Sequence, residues 1–227
     1  MAFNIPTFGD DKTPKGKTPA PITPLAITTN LASFFTGKGF DKQRERLVKG
    51  FQNKGFVDAS FEAMMKAVGW KSGEAWCAYF MKLVLMQMYS FDREYVARTF
   101  TPSAYGNLTI IEGLNRKGDT RYVALRQNDF QVGDVVCMIG ADGRGGHTFM
   151  ISEIITTNSD GSAVVKTIEG NTSLGGSREG EGVFSLKRTL KIDTKSSGQI
   201  TKGVIRRNFT QEELKSLYYD ETEMTFT

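Results

Sequence analysis

The stretch GEAWCAYFMKLVLMQM, residues 73–88, decides how this chain folds. Cys77, Phe80, Met81, Val84, Leu85 and Met88 recur at i, i+3, i+4, i+7, i+8 and i+11, which is one continuous apolar face of a helix. Ser72 or Gly73 can cap that helix, starting it near residue 74 and placing Cys77 in its first turn. A cysteine there has two readings. It can simply begin the core stripe, because a buried cysteine behaves as a small hydrophobe. Alternatively, the unpaired N–H groups and the dipole of the helix start favour a thiolate. Those same N–H groups could hold the oxyanion of a tetrahedral intermediate.

Working outward, the segments before residue 73 are helical in pattern and those after about residue 130 are not. KQRERLVKGFQNKG (42–55) puts Leu47, Val48 and Phe51 on one face and stops at Gly55. SFEAMMKAVGW (60–70) repeats the pattern with Phe61, Met64, Met65 and Val68. Downstream, GDVVCMI (133–139) is a short apolar run suited to a buried strand. HTFMISEII (147–155) alternates, with His147, Phe149 and Ile151 on one side. NSDG (158–161) is a hairpin-type turn, after which SAVVKTIEG (162–170) alternates again. GVFSLKRTL (182–190) and GVIRRNF (203–209) are two further strand candidates. Helices followed by an antiparallel meander make an α+β architecture.

Composition bounds the rest. The 227 residues, 39% hydrophobic and 11% aromatic, suit one domain with appendages. Residues 1–40 are expected to form a Pro-rich N-terminal extension, because TPKGKTPAPITP (13–24) offers few large apolar side chains. Residues 41–210 are then the folded unit, and 211–227 a short helix with an acidic tail. No apolar run approaches the length that spans a bilayer. MAFNIPTFGDDKTPKGK (1–17) lacks the basic and apolar regions of a secretory signal. Two cysteines, Cys77 and Cys137, make neither a disulfide framework nor a four-cysteine metal site, and one histidine removes every multi-histidine zinc arrangement. No metal or cofactor is therefore expected. The glycine-rich stretches ADGRGGH (141–147) and GNTSLGGSREGEG (170–182) lack the lysine and hydroxyl of a phosphate-binding loop. They read as mobile loops flanking a cleft, the second a possible lid. A net charge of +4 and a pI near 9.0 are a mild basic bias, scattered along the chain and without the dense block of a specific nucleic-acid surface. Such a bias also suits an acidic bacterial wall.

His147 turns the reading of Cys77 toward chemistry. A thiol enzyme needs one imidazole, and this chain has one, opening a strand just after a glycine-rich loop. The next strand ends in IEGN (168–171), with Glu169 and Asn171 two apart and hence on one face. A cysteine, a histidine and a polar orienter form a nucleophile–base–orienter set, and their chain order is that of papain-like enzymes. Cys137, within an apolar strand, reads as inert.

EAWCAYF (74–80) resembles the W-C-A-x-F motif of the CHAP family, the cysteine, histidine-dependent amidohydrolases and peptidases. VGDVVCM (132–138) is similar to that family's G-D-[IV]-V segment, GGHTFMI (145–151) to its histidine strand, and IEGN to its E-G-N strand end. The matches lie in the family's order and spacing over about residues 70 to 175. The resemblance implies a papain-like domain with helices packed on an antiparallel β-meander. It implies Cys77 as nucleophile, His147 as base, and Glu169 with Asn171 as orienters. It further implies hydrolysis of amide bonds in bacterial peptidoglycan, as in phage lysins and virion-borne enzymes. Many members carry glutamine before the cysteine, where this chain has Trp76, so no second oxyanion donor is carried over. Trp76 is instead the candidate substrate-binding residue, able to stack on a sugar, unless it is a core aromatic beside the helix. No wall-binding module follows the catalytic part, which suits a virion component or an effector delivered by a contractile machine, docked through the N-terminal arm. The rival reading is a virion structural or interaction protein that keeps the fold without turnover.

Overall fold

A computed structural model describes residues 53–173, 182–196, 198–210 and 213. The expected Pro-rich extension, the helix at 42–55 up to residue 52, and the proposed lid at 174–181 lie outside the described residues, as does the acidic tail. The molecule is α+β, with four helices preceding an antiparallel sheet among the described residues.

Helix α1 (Ala59–Ala67) starts where Asp58 accepts the backbone N–H of Ser60 and Phe61, satisfying two of the donors a helix start leaves free. It buries Phe61 and Met65, the centre of the expected stripe. Helix α2 (Cys77–Met88) begins three residues later than the capping residues suggested, so Cys77 is its first residue. Gly73 instead donates its N–H to the Asn53 carbonyl, and the Ser72 hydroxyl to that of Lys54. This α2 is buried all round, including Ala78, Tyr79, Leu83 and Met86 off the expected face. It lies between α1, the following α3 (Arg93–Thr99) and strands β3 and β4. Helix α4 (Ala104–Asn115), capped by Ser103, packs across β1, β2, β3 and β7.

The strands are β1 (Tyr122–Leu125), β2 (Val135–Gly140), β3 (Gly146–Thr157), β4 (Ala163–Thr172), β5 (Gly182–Leu190), β6 (Lys195–Ser196) and β7 (Gln199–Arg207). Their order is β1-β7-β2-β3-β4-β5, with β6 paired to β7. Only β2 to β5 form the expected meander. The long strand that follows, β7, does not extend it but crosses to lie between β1 and β2. Burial agrees with that place: adjacent Val204 and Ile205 pack into the two cores on opposite faces of the sheet, so β7 is covered on both faces there and paired on both edges. The same two-sided burial explains why GDVVCMI reads as a continuous run. Val135 and Cys137 join the core under the helices, while Val136 and Met138 join a second core on the opposite face. Asp134, the acid of GDVV, is structural. Its carboxylate accepts the Gln131 N–H at 2.8 Å and is clasped by Arg206 at 2.8 and 2.9 Å, which fixes the turn into β2.

Candidate active site

Three elements converge on one cluster. Helix α2 supplies Cys77 at its first position, β3 supplies His147 at its second, and β4 supplies Glu169 near its end. Two glycines let these elements approach. A Cβ at Gly170 would stand 2.6 Å from Phe80 Cδ1 and 2.7 Å from Trp76 Cζ3, so glycine beside Glu169 is what seats the start of α2 against β4. A Cβ at Gly146 would stand 2.5 Å from the Met138 carbonyl, so the residue before the histidine must be equally small.

His147 is fully buried, and its Nε2 lies 2.8 Å from Glu169 Oε2. Its Nδ1 is buried with no hydrogen-bond partner, and is the ring nitrogen left for the thiol of Cys77. Burial pushes the Cys77 thiol up, but His147 and the backbone N–H groups of Thr148 and Ala78 outweigh it, so the net direction is down. Burial pulls His147 down, yet contact with Cys77 and then Glu169 raises it to about 9. Opposite displacements of a coupled thiol and imidazole are the directions that favour a thiolate–imidazolium pair. Trp76, the residue before α2, makes no side-chain capping hydrogen bond, so its own side chain does not take the N–H groups of the first turn.

Glu169 is fully buried and engaged through both oxygens. Arg188, on β5, donates through Nε to Oε1 and through Nη2 to Oε2 at 2.6 Å, and the Thr167 hydroxyl donates to Oε1 at 2.5 Å. Burial alone would raise this carboxyl, but Arg188 and His147 hold it down at about 2. Arg188 also lies over the Phe149 ring, 5.1 Å from its centroid. Neither Arg188 nor Thr167 is singled out by the sequence. Thr167 shares the alternation of Glu169, two residues on. Arg188 is met only once β5 is paired to β4, opposite Val165.

Two expected roles do not follow the geometry. Trp76 is fully buried, edge-to-face with Phe56 and Phe80, so it is the core aromatic and not a sugar platform. Asn171 makes no hydrogen bond to His147; its Oδ1 is buried without a partner, and its backbone sits at φ 58°. The bond to the imidazole belongs to Glu169, because the left-handed turn at Asn171 ends the regular alternation that put both residues on one face. Cys137 is fully buried, and burial pushes its thiol up to about 12, which leaves it inert at neutral pH. Among the described residues no group of three His, Cys, Asp or Glu side chains is placed to hold a metal ion, and no helix is long and apolar enough to cross a membrane. No family model matches the chain, and neither a curated protein nor a solved structure matches it.

Proposed function

We propose that the chain is a papain-like cysteine amidase or endopeptidase of the CHAP type, cleaving amide bonds in bacterial peptidoglycan. The observation that carries the reading is the buried His147–Glu169 hydrogen bond at 2.8 Å, which leaves His147 Nδ1 without a partner, together with the coupling of Cys77 to that imidazole, the thiol displaced down and the imidazole up. In the proposed reaction the Cys77 thiolate attacks an amide carbonyl, and the oxyanion is held by N–H groups at the start of α2. The tetrahedral intermediate collapses as imidazolium His147 gives its proton to the departing amine, leaving a thioester on Cys77. His147, now neutral, takes a proton from water; the hydroxide attacks the thioester and releases the acid, with the thiolate restored. Glu169 holds the ring and balances its charge through both proton transfers.

The substrate class rests on the motif resemblance and agrees with the basic balance of the chain, +4 overall against an anionic wall. Delivery as a virion component or as an effector of a contractile machine, through residues 1–40, belongs to the same proposal. The test is mass spectrometry of purified peptidoglycan after incubation with the chain and with Cys77→Ala. Fragments carrying new amine and carboxyl ends from the parent chain only are the expected result. Intact peptidoglycan in both samples would favour an interaction protein, a reading that draws on the near-complete burial of the triad, of which Cys77 alone keeps 6% exposure.

A further inference from the structure

The buried cluster does not end at the triad. His147 from β3, Glu169 from β4 and Arg188 from β5 form one hydrogen-bonded chain, to which Cys77 from α2 is electrostatically coupled, and as thiolate, imidazolium, carboxylate and guanidinium their charges sum to zero. Cys137 on β2, a thiol kept neutral by burial, feels the charges of Cys77 and of Arg126. Both oxygens of Glu169 are bonded by Arg188, and one of them also meets the imidazole. Stacking on Phe149, the neighbour of His147 two residues on in β3, fixes the guanidinium plane.

We infer that Arg188 is a positioning residue for the proposed reaction, holding the Glu169 carboxylate in register with His147 and completing a charge-balanced cluster that sets where the thiol and the imidazole titrate. This inference rests on the hydrolase reading only for its consequence in catalysis. The sign follows from charge alone. Taking one positive charge out of a coupled buried cluster favours the protonated form of every remaining member, so both limbs of the cluster's titration move to higher pH. A bare carboxylate would also hold the proton on His147 more tightly, making the imidazolium a poorer acid for the leaving amine.

The experiment uses the full chain, whose single histidine makes NMR titration of His147 unambiguous. Iodoacetamide labelling of Cys77 against pH reports the thiolate, with Cys137 as the silent internal control. In Arg188→Gln both midpoints are expected to rise, that of His147 by about one pH unit. Arg188→Lys, which keeps the charge but loses the two-pronged geometry, is expected to return the midpoints most of the way. If Arg188 were merely structural, both variants would melt lower with the midpoints unmoved, and that result overturns the inference. Should Arg188→Gln fail to fold, Glu169→Gln is compared with Glu169→Gln/Arg188→Met, where both members of the Glu169–Arg188 pair are removed together. The double variant is expected to have the higher His147 midpoint, and equal midpoints overturn the inference. Neither readout needs substrate. Digestion of peptidoglycan with unmoved midpoints would remove Arg188 from the mechanism and leave the hydrolase standing; shifted midpoints without digestion would do the reverse.

Discussion

Replacing Glu169 by glutamine removes one charge from the centre of the cluster while keeping the shape and an acceptor for the imidazole. Two consequences can be sized. His147 is raised to about 9 from an ordinary 6.5, more by Cys77 than by Glu169. Losing the second cause, and leaving the Arg188 charge uncompensated nearby, should lower the His147 midpoint by roughly one pH unit or more. The alkaline limb of hydrolysis should fall with it. The second consequence is in stability. Glu169 is held at about 2 against an ordinary 4.5, a depression of about 2.5 pH units, and a carboxyl depressed in the folded state stabilises it at pH above the unfolded value. At about 1.36 kcal/mol per unit this is about 3 kcal/mol at neutral pH, and full burial leaves little solvent screening to discount. The contribution is lost as pH falls from about 4.5 to about 2. Glu169→Gln should therefore melt well below the parent at pH 6, and the gap should close across that acid window. The assays are NMR titration of the single histidine and thermal melts as a function of pH. A variant whose His147 midpoint stays at or above the parent's, or whose stability gap is as wide at pH 2 as at pH 6, would refute the reasoning.

Cys77→Ala should abolish fragment release and leave the fold intact, while in the parent chain iodoacetamide should modify Cys77 far faster than fully buried Cys137; equal labelling would remove Cys77 as nucleophile. Gly170→Ala should destabilise by about 1–3 kcal/mol in denaturant titration, because its methyl group overlaps Phe80 and Trp76, and the displaced start of α2 should cost activity beyond the stability loss. A fully active, equally stable variant would show that α2 and β4 are not in this contact. Asn171→Gly should hold or raise the melting temperature, since glycine adopts φ 58° without strain, and should leave the His147 midpoint in place. A lowered midpoint would make Asn171 an orienter after all.

The elements legible in the sequence were those whose apolar period is carried by side chains buried on a consistent face. Helix α1 and strands β2 to β5 are of this kind, and NSDG marks its turn through Gly161 at φ 79°. Helix α4 was not legible, since AYGNLTIIEGLN carries Gly106, Gly113 and Thr109, all poor helix formers, and is held by Ser103 and by packing across the sheet. Strand β1 is only four residues long and exists because β7 offers it an edge. The placement of β7 between β1 and β2 is a choice among edges, and chain order alone argues for the neighbour of β5.

The site divides along the same line. Cys77 and His147 were legible because each stands at the start of an element, where a short motif and a flanking glycine are enough to mark it. Glu169 and Asn171 could not be ranked from sequence, because strand alternation treats them as equivalent and the left-handed backbone at Asn171 is a property of the folded strand end. Arg188 was invisible for a stronger reason. Nothing in GVFSLKRTL distinguishes it from Lys187 beside it until the register puts Val165 opposite Arg188 and Lys166 opposite Lys187. That register turns Arg188 toward the face of Glu169 and Lys187 to the other side, so a one-residue slip would exchange a bidentate guanidinium for an ammonium that cannot bridge both carboxylate oxygens. The carboxylate that orients the histidine is therefore specified twice, once by its own strand and once by the pairing of the next.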